Sequence, residues 1–218
     1  MEERLARTCR NLEKNNIACF YIDRKEEVVP LLKTLIQEGD VLRTGGSVSL
    51  KESGVLDSIS NGDYRFINRF SSNITPEVKR AASIDAFDCD AYLCSCNAVT
   101  ENGELYNVDG DGNRTAAMIY GSKQVILIVG CNKVVKNLEE AVVRVKTIAA
   151  PKNAARLGYD TYCREKGHCL AIEQGKTGMT DGCSSPGRIC STFVVMGHQY
   201  DRNRHRIKVI LVGEPLGY

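Results

Sequence analysis

The sequence predicts an α/β fold with a mostly parallel sheet covered by helices. Short apolar runs with strand character alternate with segments whose apolar residues recur at helical spacing. The run QVILIVG at 124–130 is apolar at every side chain but the first, as expected of a strand that is buried on both faces. Glycine turns follow several of these runs and lead into helices, which is typical of strand-to-helix connections.

In the first part of the chain, each predicted element has a local signal. Helical spacing runs from the N-terminus to about Asn15, IACFYID has β character, and KEEVVPLLKTLIQEG predicts a helix that closes at Gly39. DVLRTGGS predicts a buried strand that ends in a glycine turn. SLKESGVLDSIS predicts a short helix, with Ser47 or Ser49 as its cap. Thr75 and Pro76 have the chemistry of a helix start.

The second part continues the alternation. AYLCSCNAVT and ELYNVDGDGNR predict two strands joined by a tight turn at 101–103. After the strand at 124–130, a helix is predicted over 137–157, on both sides of Pro151, and STFVVMG and RIKVILVG predict a terminal pair of strands. We therefore divide the chain into an α/β domain (1–158), a cysteine-rich segment (159–192) and terminal strands that return to the same domain (193–218).

Composition excludes several classes of partner. The formal net charge of +2 over 218 residues is too small to indicate nucleic acid or an anionic membrane. No apolar run approaches the length that spans a bilayer, and the charged N-terminal segment has no signal-peptide core. We therefore expect a cytoplasmic protein that binds neither nucleic acid nor membrane.

The ten cysteines divide into two groups. Six are interleaved with apolar residues, and core packing is the expectation for most of them: Cys9, Cys19, Cys89, Cys94, Cys96 and Cys131. The other four lie in a Gly-, Ser- and Thr-rich stretch that cannot build much core by itself: Cys163, Cys169, Cys183 and Cys190. In a reducing compartment such a cluster indicates metal ligands, with redox-active or unremarkable thiols as alternatives. An all-cysteine set suits zinc or a [4Fe–4S] cluster.

Three loops follow predicted strands, where open α/β sheets bind ligands. The first contains Gly45, Gly46 and Ser47, whose backbone could approach an anion or could serve a purely steric purpose. The second runs from Asn97 through Thr100, Glu101 and Asn102; its carboxylate is either a nucleophile or base, or an ordinary solvated turn residue. The third combines Asn132 and Lys133, with Arg114 preceding, and suits a carboxylate or phosphate.

Taken in order, these loops resemble the LUD (lactate-utilisation) domain family. The resemblance rests on RTGGSVSLKESGVLD, on the long block from NAVTENGELYNVDGDGNR to KTIAAPKNAARL, and on CSSPGRIC with RIKVILVGEPLG, and it covers most of residues 40–218. It implies a fold related to ribose-5-phosphate isomerase, glucosamine-6-phosphate deaminase and the CoA transferases. It also makes Glu101 the best catalytic candidate, because Thr100–Gly103 is similar to the turn that carries the glutamate of CoA transferases.

The resemblance implies a role in lactate or 2-hydroxy-acid oxidation, with a small carboxylate or phosphorylated ligand and a cysteine-ligated iron–sulfur or zinc centre. Iron–sulfur or flavin oxidoreductase subunits are then the expected protein partners, and a homodimer is left open. One alternative is a stand-alone acyl or CoA transferase, or sugar-phosphate isomerase, that uses Glu101. Another is a non-catalytic regulator whose cysteine segment senses redox state or metal.

Overall fold

The structure, a computed structural model, describes residues 2–68 and 74–218. In these ranges the strands, in chain order, are β1 (Ala18–Ile22), β2 (Val41–Thr44), β3 (Arg65–Phe66), β4 (Ala91–Cys94), β5 (Ala98–Thr100), β6 (Leu105–Asp109), β7 (Gln124–Gly130), β8 (Val134–Val135), β9 (Thr192–Met196) and β10 (Ile207–Val212). They form a six-stranded sheet in the order β1-β10-β7-β4-β2-β3 and a four-stranded sheet in the order β8-β5-β6-β9.

Helices of the described chain connect these strands. They are α1 (Glu3–Lys14), α2 (Val28–Leu35), α3 (Val48–Glu52), α4 (Val55–Asn61), α5 (Pro76–Ile84), α6 (Asn113–Ile119), α7 (Leu138–Arg144), α8 (Ala150–Leu157), α9 (Tyr162–Lys166) and α10 (Leu170–Glu173). One turn of π-helix, Val145–Ala149, joins α7 to α8. No helix within 2–68 or 74–218 is long and apolar enough to cross a membrane.

The six-stranded sheet is parallel at each of its pairings, so the predicted fold class is confirmed. Its central strands bury side chains on both faces. In β7, Val125, Leu127 and Val129 join one core cluster, while Ile126 and Ile128 join another on the opposite face. This alternation with period two explains why the strand has an almost continuous apolar sequence.

Several local predictions are confirmed. Ser47 caps α3, its Oγ accepting a hydrogen bond from Leu50 N at 3.3 Å. Thr75 caps α5, with Pro76 as its first residue. The helix predicted over 137–157 is present on both sides of Pro151, as α7, the π turn and α8.

Two strand predictions were wrong. The segment 91–100 is not one strand, because β4 belongs to the large sheet and β5 to the small one, with a break at 95–97. The last two strands do not pair with each other: β9 pairs antiparallel with β6, and β10 lies between β1 and β7. Both errors concern long-range pairing, which local sequence pattern does not specify.

The cysteines outside the quartet of Cys163, Cys169, Cys183 and Cys190 differ in their surroundings. Cys89, Cys94 and Cys96 are buried in the core, as expected. Cys9 of α1 and Cys19 of β1 are only partly buried, and the structure joins them in a disulfide instead of leaving them as packed thiols.

The turn between β5 and β6 holds α1 against the small sheet. Gly103 has a φ of 83°, and a Cβ there would lie 2.6 Å from the backbone carbon of Asn11. The Asn15 side chain donates to Gly103 O at 3.0 Å. The turn therefore requires glycine for two reasons, its left-handed backbone and its close approach to α1.

We predict that Gly103→Ala lowers the free energy of unfolding by about 2 kcal/mol or more, from left-handed strain and the backbone clash together. The matched control is Gly158→Ala, where φ is +70° but no atom lies within 4 Å of the added Cβ, so only the strain of about 1 kcal/mol applies. Urea unfolding of both variants measures the difference. Equal losses of unfolding free energy in the two variants would show that the approach of Gly103 to α1 does not add to the strain.

Candidate functional site

A cleft of about 580 Å³ lies where β2, β4 and β7 end. Its walls come from the loop after β2, the break after β4, the turn after β7, and residues of α6, α8 and the cysteine segment. The polar and charged side chains that line it include those of Ser47, Ser49, Lys79, Ser95, Asn97, Asp109, Asp111, Arg114, Lys133, Arg156, Arg188 and Tyr218. The position agrees with the rule that parallel sheets bind ligands at their carboxyl edge.

The floor of the cleft is the break between the two sheets, residues 95–97. Arg114, from the first turn of α6, donates to Ser95 O at 2.9 Å and to Asn97 Oδ1 at 2.8 Å. It also forms an ion pair with Asp109 at 2.8 Å, and both of these side chains are largely buried. Arg114 thus satisfies backbone and amide oxygens that leave the strand ladder, with its charge balanced by Asp109.

A second arginine supports the same break from behind. Arg144, buried at the end of α7, donates from Nη1 to Asn97 O and from Nε to Asn132 O at 3.1 Å. Burial lowers the pKa of this guanidinium from its ordinary value, although an arginine stays charged. The break therefore has buried cations on two sides.

Lys133 provides the third cationic side chain at the break. It lies in the turn Cys131–Lys133 after β7 and is only 4% exposed. Its Nζ is 2.8 Å from Ser49 Oγ and 3.0 Å from Ser95 Oγ. No carboxylate in the described ranges forms an ion pair with it. Burial, followed by the charges of Arg144 and Arg114, lowers the pKa of Lys133 to about 7.

The cleft carries an excess of positive charge. Its cationic side chains are Lys79, Arg114, Lys133, Arg156 and Arg188, against Asp109 and Asp111. Even with Lys133 uncharged, four cations face two carboxylates, one of which is paired with Arg114. The cleft therefore favours an anionic ligand.

The structure brings five of the predicted site residues to the cleft: Gly46, Ser47, Asn97, Arg114 and Lys133. Gly45 lies behind its wall, and a Cβ there would be 3.1 Å from Arg114 Cδ and from Tyr92 Oη, which gives this glycine a steric purpose. Asn132 holds the C-terminal segment, accepting from Leu216 N at 3.1 Å and donating to Gly217 O at 3.2 Å.

The predicted catalytic turn lies elsewhere, against α1. Glu101 forms ion pairs with Arg7 and with Arg4, the latter at 2.8 Å. The hydrogen bond from Arg7, above all, lowers the pKa of Glu101 from its ordinary value. Thr100 Oγ1 donates to Glu104 at 2.6 Å, and Asn102 O accepts from Asn15. The structure thus places residues 100–102 at a helix contact and not among the cleft residues.

Eight of the cleft side chains named above were not predicted as site residues from the sequence: Ser49, Lys79, Ser95, Asp109, Asp111, Arg156, Arg188 and Tyr218. Ser49 was considered only as a helix cap. Ser95 was not predicted because residues 91–100 were interpreted as one strand. The strand in fact ends at Cys94, so Ser95 lies at the carboxyl end of β4, where parallel sheets bind ligands.

The four cysteines of the C-terminal segment line one enclosed cavity of about 20 Å³. Burial first, then the neighbouring Cys163 and Cys169, raise the pKa of Cys190 to about 12. Burial also raises the pKa of Cys163. At Cys183, burial is outweighed by hydrogen bonds from Ser185 and by the charge of Arg188, so its pKa is lowered. Among the described residues, no group of three or more His, Cys, Asp or Glu side chains is already gathered closely enough to hold a metal ion.

The cavity and the cleft share a wall. Arg188 and Ile189 line both. Arg188 donates to Cys183 O at 2.7 Å, to Cys190 O at 2.9 Å and to Thr180 O at 3.0 Å, so it ties two of the cysteine loops together. The cysteine segment therefore contributes part of the cleft wall.

With this geometry established, comparison with known proteins identifies the family. The family model described as "LUD domain" matches residues 5–212. The chain belongs to the LUD-domain family. The crystal structure of a DUF162 family protein from Deinococcus radiodurans is similar to this LUD-domain chain, with a TM-score of 0.52 and 14% identity over 96% of each chain. At that identity the likeness supports the fold alone. No curated protein matches the sequence.

The lowered pKa of Lys133 predicts how Lys133→Met changes stability with pH. The unfolded chain has the ordinary value of 10.5 and the folded chain about 7, so between these values the unfolded chain binds more protons and wild-type stability rises with pH. Methionine lacks this dependence. The stability of the variant relative to wild type should therefore fall by a few kcal/mol, on the order expected for such a shift, from about pH 6 to about pH 10.

Urea unfolding at a series of pH values measures the difference in free energy of unfolding between Lys133→Met and wild type, and taking this difference cancels the titration of all other groups. A difference that is constant over the range would show that Lys133 keeps an ordinary pKa in the folded protein.

Proposed function

We propose that this LUD-domain protein binds a small anionic metabolite, a carboxylate or phosphate ester, in the cleft and a metal centre at the four cysteines, in support of 2-hydroxy-acid oxidation. The observation that carries the first part is the cationic cleft at the carboxyl edge of the sheet. Its volume of about 580 Å³ suits a small molecule, and its cations exceed its carboxylates.

Arg156 is the cleft cation best placed to meet a ligand. Its guanidinium is exposed and is held by Asn153 Oδ1 at 2.7 Å and by Tyr218 Oη at 2.9 Å. These partners are uncharged, so the positive charge of Arg156 is not neutralised by them. Arg114, in contrast, is already paired with Asp109 and supports the floor. We therefore expect Arg156 to contribute directly to anion binding.

The cysteine quartet supports the metal part of the proposal. Four thiols line one cavity, from α9, from the residue before α10 and from the loop that follows α10, and Arg188 can offset the charge of a thiolate-bound centre. Four thiolates are the donor set of a structural zinc ion and of a [4Fe–4S] cluster. The space of about 20 Å³ fits a single ion, whereas an eight-atom cluster would require the walls to separate. A zinc ion therefore fits with the smaller rearrangement.

A metal at the four cysteines would also affect the cleft, because the two sites share a wall. Loops 183–190 contain few residues that could form a core of their own, yet Pro186, Gly187 and Arg188 line the cleft. A metal that joined the four thiolates would fix these loops and thereby the cleft wall. The iron–sulfur or flavin oxidoreductase subunits suggested by the family resemblance would then meet a preformed site.

The anion part is tested by Arg156→Gln. Loss of a charge-assisted contact should weaken binding of pyruvate or inorganic phosphate about tenfold or more, because hydrogen bonds to charged groups contribute about 1.5–3 kcal/mol. Isothermal titration calorimetry measures the affinity. Arg164→Gln is the control, since Arg164 is exposed and bonds to Gly158 O outside the cleft. Binding of neither anion to the wild type would contradict the proposal.

The metal part is tested by elemental analysis of protein purified without oxygen. We expect about one zinc per chain, and loss of that zinc in Cys183→Ser and Cys163→Ser. About four irons per chain with visible absorption would identify a cluster instead. Cys131→Ser is the matched control, because Cys131 is a half-buried thiol outside the quartet. A metal-free wild type, or equal loss in the control, would contradict a cysteine-ligated centre.

A further inference from the structure

The position of Lys133 is unusual for a residue that would bind an anion by charge alone. Its amine is at the floor of the cleft, buried to 4% exposure, and it contacts two neutral hydroxyls and no carboxylate in the described chain. The charges of Arg114 and Arg144 disfavour a third positive charge beside them. Burial and these two charges outweigh the opposing charge of Glu52 and lower the pKa of Lys133 to about 7, so a large fraction of the amine is uncharged near neutral pH.

An uncharged amine in a cleft is a nucleophile toward carbonyl carbon. Lysines that form imines are activated by desolvation or by a neighbouring cation, and Lys133 has both. Its two partners suit this chemistry, because a serine hydroxyl can donate or accept a proton. Both serines line the cleft, but Ser95 is 8% exposed whereas Ser49 is fully buried.

We propose that Lys133 is the nucleophile of an imine-forming site for small anions that carry a reactive carbonyl group. The proposal rests on the anion cleft described above and names its substrate class: 2-oxo acids, or phosphorylated aldehydes and ketones. The cleft cations hold the carboxylate or phosphate, and the amine at the floor reaches the carbonyl.

The step is balanced with groups that the cleft provides. Lys133 Nζ attacks the carbonyl carbon and forms a C–N bond, and the carbonyl oxygen takes a proton to give a carbinolamine. Ser95, the more exposed hydroxyl, is positioned to transfer a proton from the nitrogen to that oxygen. The hydroxyl then takes a second proton from solvent in the cleft, the C–O bond breaks, water leaves, and a protonated imine remains. Addition of water reverses the sequence, so no oxidant or reductant is consumed.

The experiment traps the imine by reduction. The full-length protein is incubated near neutral pH with borohydride and either pyruvate or dihydroxyacetone phosphate, and the adduct is located by peptide mapping. We expect one adduct per chain on Lys133, carrying the mass of the reduced ligand. An adduct with pyruvate would identify a carboxylate ligand, and an adduct with dihydroxyacetone phosphate would identify a phosphate ligand.

Substitutions test separately the role of Lys133 as the nucleophile and the role of Ser95 in proton transfer. Lys133→Met should abolish the adduct, and the exposed Lys136, three residues further on, provides the control: Lys136→Met should leave it unchanged. Ser95→Ala should slow trapping about tenfold or more while ligand affinity, measured by calorimetry, changes far less. Mapping of the wild-type adduct decides the site even if a variant folds poorly.

Two failures are distinguishable. If pyruvate or phosphate binds by calorimetry but no adduct maps to Lys133, the imine site is wrong and the anion cleft stands. If neither binding nor an adduct is found, the proposed function fails together with this inference. An adduct spread over surface lysines, or one that survives Lys133→Met, also overturns the proposal.

Discussion

The break between the two sheets, at residues 95–97, is the constraint on which the site depends. A chain that leaves one sheet and enters another exposes buried backbone oxygens that the strand ladder no longer satisfies. Here Arg114 and Arg144 donate to the oxygens of Ser95 and Asn97. Leaving such groups without donors would cost several kcal/mol, on the scale of buried unpaired polar atoms. The two arginines therefore stabilise the break, and the charge of Arg114 also contributes to the cationic cleft that we propose binds anions.

The same constraint explains the chemistry of Lys133. Two arginines that are required by the break place fixed charges near a third cationic residue, which lies in a turn buried between Ser49 and Ser95. Burial first, and then these charges, lower the pKa of Lys133 to about 7, whereas the arginines stay charged. Structural support for a break in the sheet thus contributes to the lowered pKa of an amine at the edge where α/β sheets bind ligands, and the proposed imine chemistry rests on that amine.

Most of the large sheet could be predicted from the sequence. The strand predicted over 124–130 begins and ends where the apolar run does, and the helix caps Ser47 and Thr75 are recognisable from their local sequence. The break at 95–97 could not be predicted, because Ala91–Thr100 is a continuous run of small and apolar residues whose division depends on partners far along the chain. The separation of β9 from β10 has the same cause.

The candidate site was predicted to the extent that its residues follow strands. Gly46, Ser47, Asn97, Arg114 and Lys133 do so and line the cleft. Glu101 also follows a strand, but α1 covers its turn with Arg4 and Arg7, a contact that no local pattern indicates. The disulfide between Cys9 and Cys19 likewise depends on how α1 packs against β1.

The central claim, that the buried amine at the floor of the cleft has a pKa far below that of an ordinary lysine, can be measured directly. Nuclear magnetic resonance of protein with isotopically labelled lysine would follow the side-chain nitrogen of Lys133 as pH is raised. The account predicts a midpoint of about 7, well below that of the other lysines. A midpoint at the ordinary lysine value of about 10.4 would contradict it.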